Sequence, residues 1–148
     1  MTSLRYCLLT EPERPLLNKF YKDQGSSMRA AAQGQLWVVR AEEIVAALCL
    51  TPVTGGYWLT GLWVAERWRR QQIASGLINA AVKRTEGTTW LFCHPDLAPF
   101  YQQQGFGPCA ELPAVLSERL ARYQRSKPLV AMAQSSLAGS SPGNSTSV

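Results

Sequence analysis

Two stretches of the chain hold residue types whose spacing suits chemistry. The first reads Leu62-Trp63-Val64-Ala65-Glu66-Arg67-Trp68-Arg69-Arg70-Gln71-Gln72-Ile73-Ala74-Ser75-Gly76-Leu77. An apolar run ends, a basic turn follows, and a helical period begins. Free N–H groups at a helix start, the positive end of its dipole and the cations Arg67, Arg69 and Arg70 together make an anion site. A phosphorylated ligand fits it; a solvated basic loop capping a helix accounts for the same residues. The second stretch is Phe100-Tyr101-Gln102-Gln103-Gln104-Gly105-Phe106, with His94 and Cys93 a short way before it. Histidine is the residue type suited to base work near neutral pH, so His94, the single histidine, is a candidate base or a structural hydrogen-bonding group.

The elements that must position these residues follow from periodicity. Leu4 to Leu9 is a short β run, and Glu11-Pro12-Glu13 opens a helix with Leu16, Leu17, Phe20 and Tyr21 on one face, ending before Gly25. Ser26 to Ala32 is a candidate second helix. Leu36 to Arg40, Ile44 to Val53 and Tyr57 to Val64 form an antiparallel meander, with turns at Ala41-Glu42-Glu43 and Thr54-Gly55-Gly56. Ile73, Leu77 and Ala81, with Ala74, Ile78 and Val82, recur at helical spacing to Arg84, and Gly87 is expected to stop that helix. Thr88 to Cys93 is a buried strand, so strand, helix and strand imply a right-handed crossover and parallel pairing. Asp96 to Gln104 is a helix whose proline, Pro99, belongs in its first turn, which favours Asp96 over His94 as the cap. Phe106 to Cys109 is a strand. Pro113 to Gln124 is an amphipathic helix with Val115, Leu116, Leu120 and Tyr123 inward, and Leu129 to Met132 is a last strand. Residues 134–148 are rich in Ser and Gly and are expected to be a disordered tail after a domain spanning 1–133.

A strand, a basic turn entering a helix, then a strand and a helix closing with Phe-Tyr-x-x-x-Gly-Phe resembles the GNAT superfamily of acyl-CoA N-acyltransferases. The resemblance covers residues 1–133 in element order and 62–106 in motif. It implies an α/β fold: a mixed sheet of about six or seven strands, with an antiparallel N-terminal meander, a parallel central pair splayed around CoA, and flanking helices. In that family the turn reads Arg or Gln, two free positions, Gly, one free position, then Gly or Ala. Arg69 and Ala74 match its ends, and Gln72 stands where the central Gly is usual. Gly there lets backbone approach a pyrophosphate closely; Gln72 is expected to need a negative φ and a side chain pointing away. His94 stands where the family commonly has Asn.

Carried over by position, the resemblance implies acetyl-CoA as cosubstrate. Leu62, Trp63 and Val64 would bind the pantetheine arm or thioester. Arg69, Arg70, Gln71, Gln72, Ile73, Ala74 and Ser75 would hold the pyrophosphate, and His94 would also face the cofactor. Tyr101 would lie near the thioester sulfur. The implied reaction is direct attack of a primary amine on the acetyl carbonyl. The Leu62 N–H would polarise the carbonyl oxygen and Tyr101 would protonate the leaving thiolate. A phenol near pKa 10 and a thiol near 8.5 differ by only about 1.5 units. A lysine-like amine is neutral in only about 1 of 2,500 molecules at pH 7, a handicap of roughly 4.6 kcal/mol. The fourth strand holds no carboxylate to remove that proton, and Glu66 lies past its end. His94, a water chain or a weakly basic amine are the remaining routes. The acceptor site is expected from Leu16 to Ala32, Trp58 and Thr60, and the Pro113 to Gln124 helix.

Composition bounds these readings. With 148 residues, 46% of them hydrophobic and only 17% charged, the chain suits one folded domain with a single core rather than disorder. Fifteen basic against ten acidic residues give +5, too modest and dispersed to argue for nucleic acid. There is no apolar run long enough to span a membrane and no basic-then-apolar leader. Cys7, Cys49, Cys93 and Cys109 form no CxxC pair, which points to reduced core thiols in a cytoplasm. No metal-ligand cluster, serine triad or Walker-type loop appears. The expected partners are therefore acetyl-CoA and an amine, with a homodimer compatible, and neither nucleic acid nor membrane. A rival reading keeps the fold and drops catalysis: a CoA-binding regulator acting through a protein partner, motivated by Gln72 and the missing carboxylate.

Overall fold

A computed structural model describes residues 3–137. Apolar runs of strand-forming residues become strands: β1 (Arg5–Leu8), β2 (Gln35–Arg40), β3 (Ile44–Val53), β4 (Gly56–Val64), β5 (Glu86–Cys93), β6 (Gly107–Pro108) and β7 (Val130–Leu137). The helices are α1 (Arg14–Asp23), α2 (Ile73–Lys83), α3 (Ala98–Gln103) and α4 (Ala114–Tyr123). The strands form one seven-stranded mixed sheet in the order β1-β2-β3-β4-β5-β7-β6. Its parallel pair, β4 and β5, is the one the intervening α2 demands. The expected fold class is thus the observed one.

The chain clusters into two units, one comprising the residues up to Pro52 with Trp58–Ala81, the other Val53–Tyr57 with the chain from Val82. In the first, β1 pairs with β2 and β2 with β3, both antiparallel, in registers such as Cys7↔Val38 and Leu36↔Cys49. The middles of β2 and β3 are buried at every position, because helices cover both faces. Leu17, Phe20 and Tyr21 of α1 pack on Leu36, Val38, Ala47 and Cys49. On the opposite face Tyr6 of β1 lies against Gly76 of α2. The start of α1 is fixed by Glu13, whose carboxylate accepts from the Thr10 N–H at 2.9 Å and pairs with Arg40 at 3.0 Å. Two expectations fail here. Leu16 is 44% exposed, since the buried stripe runs through Leu17 and Tyr21. Ser26 to Ala32 is not helical: the Ala30 N–H is captured by Asn18 Oδ1 at 2.7 Å and the Ser26 N–H by the Tyr21 carbonyl at 2.9 Å.

In the second unit β7 pairs antiparallel with β5 from Glu86↔Leu137 to Cys93↔Val130, and β6 adds on its other side. The Cys93 thiol meets Met132 Sδ at 3.7 Å on one face; on the other, Phe92 meets Tyr123 of α4 edge-on at 6.3 Å. β7 runs through 134–137, residues expected in the tail, while 138–148 lie outside the described residues. α2 ends before Gly87, closed by Thr85, whose hydroxyl donates to the Val82 carbonyl at 2.9 Å. Gly87 instead lies inside β5 at φ +90°, where a Cβ would come within 2.4 Å of the Gly55 carbonyl oxygen. β6 is two residues, shorter than the four expected. In α4 only Leu116 is buried; Val115 and Tyr123, expected inward, are 47% and 37% exposed.

Candidate active site

β4 supplies the first wall. Apart from Leu59 its residues are only half-buried, so Leu62, Trp63 and Val64 keep one side open. Mid-strand, Gly61 has φ +68°, which breaks the extended run and kinks the strand. After Val64 the chain makes a 3-10 turn over Glu66–Trp68, and Ala65 is anchored by its N–H to the Val45 carbonyl at 2.8 Å. Arg69 folds back on the strand: its Nε donates to the Val64 carbonyl at 2.8 Å and its guanidinium lies over the Trp63 ring at 5.3 Å. The Val64 carbonyl is therefore already engaged. Arg67 stacks similarly on Trp68 at 5.7 Å, whereas Arg70 is exposed and has no polar partner among the described residues. Trp63 and Trp68 border the α1 core, and Trp63 donates to Gln24 at 3.3 Å, so these rings are structural walls.

The turn then enters α2. Gln72 accepts the first helical hydrogen bond, from the Gly76 N–H at 3.1 Å, which leaves the amides of Ile73, Ala74 and Ser75 with no partner inside the helix. Ile73 is 2% exposed and contributes backbone only; Gln71 and Gln72 are exposed. The expected negative φ at Gln72 is contradicted. Gln72 has φ +62° and Arg70 has φ +65°. The loop keeps the left-handed geometry that glycine usually fills and holds it with side chains bearing a Cβ. Such a conformation costs roughly 1–2 kcal/mol per residue, partly offset because glycine would lose more chain entropy on folding. Gln72→Gly is therefore expected to leave the melting temperature within a few degrees of wild type and to tighten CoA several-fold by removing bulk beside the amides. Calorimetric titration checks it; weaker binding by the glycine variant would contradict it.

A cavity of about 280 Å³ in the same unit is lined in part by Gln24, Glu42, Glu43, Arg67 and Trp68. Two carboxylates on its wall repel a diphosphate, so it is not assigned to the cofactor.

The second unit holds the other candidates. His94, not Asp96, caps the 3-10 turn Pro95–Leu97 that precedes α3, because its Nδ1 accepts the Asp96 N–H at 3.0 Å. An accepting Nδ1 assigns the ring proton to Nε2 in the neutral imidazole, which makes Nε2 a donor. His94 thus takes the structural role; acting as a base would require breaking its cap. Cys93 is buried, and that burial raises its thiol above the usual range, as suits an inert core cysteine.

Tyr101 of α3 is 8% exposed, edge-on to Phe100 at 5.0 Å and to Phe106 at 6.0 Å. Its hydroxyl has no hydrogen-bond partner among the described residues. Burial, with a smaller contribution from Cys93, pushes its pKa up to about 12. The expected near match with a thiol is corrected: the phenol stays protonated at every working pH. Tyr21, fully buried, is also raised by burial. An unfolded tyrosine ionises near pH 10, so stability from these groups is complete below about pH 10 and falls as pH rises toward 12. Tyr101 alone accounts for about 3 kcal/mol of that loss. Urea midpoints should hold near pH 9 and fall steeply above about pH 10.5, with Tyr101→Phe shallower; a flat profile would refute the burial account.

Sequence reasoning gave Gly61 no role and placed Tyr21 only on the inward face of α1, within the expected acceptor stretch. A glycine inside an otherwise apolar strand was the available signal. All four cysteines are free, but only Cys49 and Cys93 are core thiols. Among the described residues no group of three metal-ligating side chains occurs, and no helix is long and apolar enough to cross a membrane.

Compared with known families, residues 32–108 match the model described as Acetyltransferase (GNAT) domain. No curated protein matches the chain. Among solved structures it is similar to Escherichia coli ElaA, at 16% identity over 90% of this chain and 99% of that one, with TM-score 0.64. It is also similar to Arabidopsis thaliana Naa50 in complex with the bisubstrate analogue CoA-Ac-MVNAL, at 12% identity over 90% and 99% of the two chains, TM-score 0.64. N-acetylglutamate synthase from Neisseria gonorrhoeae, complexed with coenzyme A and N-acetyl-glutamate, gives 10% identity over 91% of this chain and 35% of that one, TM-score 0.63. Identities this low carry the fold alone.

Proposed function

Because the family model matches more than half of its length, the chain belongs to the GNAT acetyltransferase family, and we propose that it transfers an acetyl group from acetyl-CoA to a primary amine by direct attack. Acetyl-CoA is the cosubstrate typical of the family. The observation that carries the reading is the turn Arg69–Ser75. Two left-handed residues lead into three amides without helical partners, with an exposed, uncommitted Arg70 beside them. That donor set fits a diphosphate: N–H groups, the positive helix end and a cation all favour the same charge.

In this reading Leu62 N–H donates to the acetyl carbonyl oxygen as it gains charge, and Trp63 and Val64 offer backbone to the pantetheine arm. The family resemblance assigns Tyr101 as the proton donor to the departing sulfur and His94 as a further contact with the cofactor. This reading assigns no base among the described residues, since β4 holds no carboxylate and the His94 Nδ1 is engaged in its cap. The reading therefore favours an amine that surrenders its proton to water before it attacks.

Release of free thiol from acetyl-CoA, across a panel of primary amines that includes peptide α-amines and weakly basic amines, tests the reading. Amine-dependent release is expected for at least one class. Saturable acetyl-CoA binding with no thiol release for any amine would replace catalysis with the regulator reading.

A further inference from the structure

We propose that Tyr21 is a positioning residue for acetyl transfer: its hydroxyl holds the Gly61 carbonyl and so fixes the peptide that aims the Leu62 N–H. The inference rests on the role given to Leu62 above.

Three observations within the first unit support it. Tyr21 lies on α1 with no exposed surface, and its hydroxyl donates to the Gly61 carbonyl oxygen at 2.6 Å, the Cys49 sulfur being farther at 3.9 Å. Gly61 is the kinked residue of β4 at φ +68°. The space beside it is filled by the same side chain, since a Cβ on Gly61 would lie 2.5 Å from the Tyr21 hydroxyl oxygen. In a trans peptide the carbonyl of one residue and the N–H of the next point in opposite directions within one rigid plane. Holding the Gly61 carbonyl toward α1 therefore holds the Leu62 N–H away from α1. Glycine at φ +68° has soft torsions on either side, so without a holder this plane can rock. A donor that must meet a developing oxyanion works only when its orientation is set before reaction.

A buried phenol needs some acceptor, and a packing tyrosine satisfied by any carbonyl would affect stability alone. Catalysis therefore separates the two. Tyr21→Phe keeps the ring and removes the holder. Its kcat is expected to fall about tenfold or more, with the KM for acetyl-CoA within about twofold of wild type. Leu36→Val, a buried change in the core cluster that also holds Tyr21, is the control: it should lower the melting temperature and leave kcat alone. Amide NMR gives a readout that needs no turnover and only a folded protein. In wild type the Leu62 amide should shift on adding acetyl-CoA more than on adding CoA, and in Tyr21→Phe that difference should vanish. A Tyr21→Phe enzyme with wild-type kcat and an unchanged Leu62 response overturns this inference alone. A wild-type protein whose amides ignore acetyl-CoA overturns the functional reading, and this inference with it.

Discussion

Tyr101→Phe is expected to keep its fold and its affinity for acetyl-CoA and to lose about 10²-fold in kcat, the lower end of what a positioned proton donor contributes. The contacts with Phe100 and Phe106 are made by the ring, which phenylalanine retains. No polar partner among the described residues is orphaned, because the hydroxyl has none. With its pKa raised to about 12 by burial, the phenol is a dependable donor but a reluctant acid. Full transfer to a thiolate of ordinary basicity, near 8.5, is uphill by about 3.5 units, or roughly 5 kcal/mol. In the proposed reaction the proton would therefore move late, once the sulfur has become more basic than an ordinary thiolate. An acetyl thioester whose leaving thiol is more acidic should need the phenol less, so the variant's deficit should shrink with it. Equal kcat for wild type and variant would leave Tyr101 a packing residue.

The largest stability effect is expected at Gly61. An alanine there must adopt φ +68°, costing about 1–2 kcal/mol, and must place its Cβ 2.5 Å from the Tyr21 hydroxyl and 3.3 Å from the adjoining ring carbon. Tyr21 is fully buried against the α1 core and cannot swing away, so overpacking adds roughly 1–3 kcal/mol. A loss of about 3 kcal/mol should appear as a lower urea midpoint with an unchanged slope. A loss below about 1 kcal/mol would mean that the kink relaxes without the glycine and that its geometry is not enforced.

The sheet was legible because its strands are apolar and bounded by turn residues, and α2 because its period is strong. The misplacements share a cause, which is that tertiary partners outbid local pattern. Ser135 to Leu137 look like linker, yet backbone pairing with Glu86 to Thr88 is indifferent to side-chain type and extends β7. The alanines after Ser26 favour helix until Asn18 takes one of their amides. Asp96 looks a better cap than His94, but the imidazole nitrogen already meets the open amide. In the proposed site, the basic turn was suggested by residue type and spacing, and Tyr101 by the family resemblance. The left-handed Gln72 was not, because steric preference argues against it and only the surrounding loop overrides that preference. Tyr21 and Gly61 lie forty positions apart, so no local pattern links them.

The central claim is that the turn Arg69–Ser75 grips a diphosphate. Titrating the protein calorimetrically with coenzyme A and with pantetheine, which has the same thiol arm and no diphosphate, tests it most directly. The account predicts that coenzyme A binds at least about tenfold more tightly, that Arg70→Ala removes part of that margin, and that added salt narrows it. Equal affinity for the two ligands, or no affinity for coenzyme A, would contradict it.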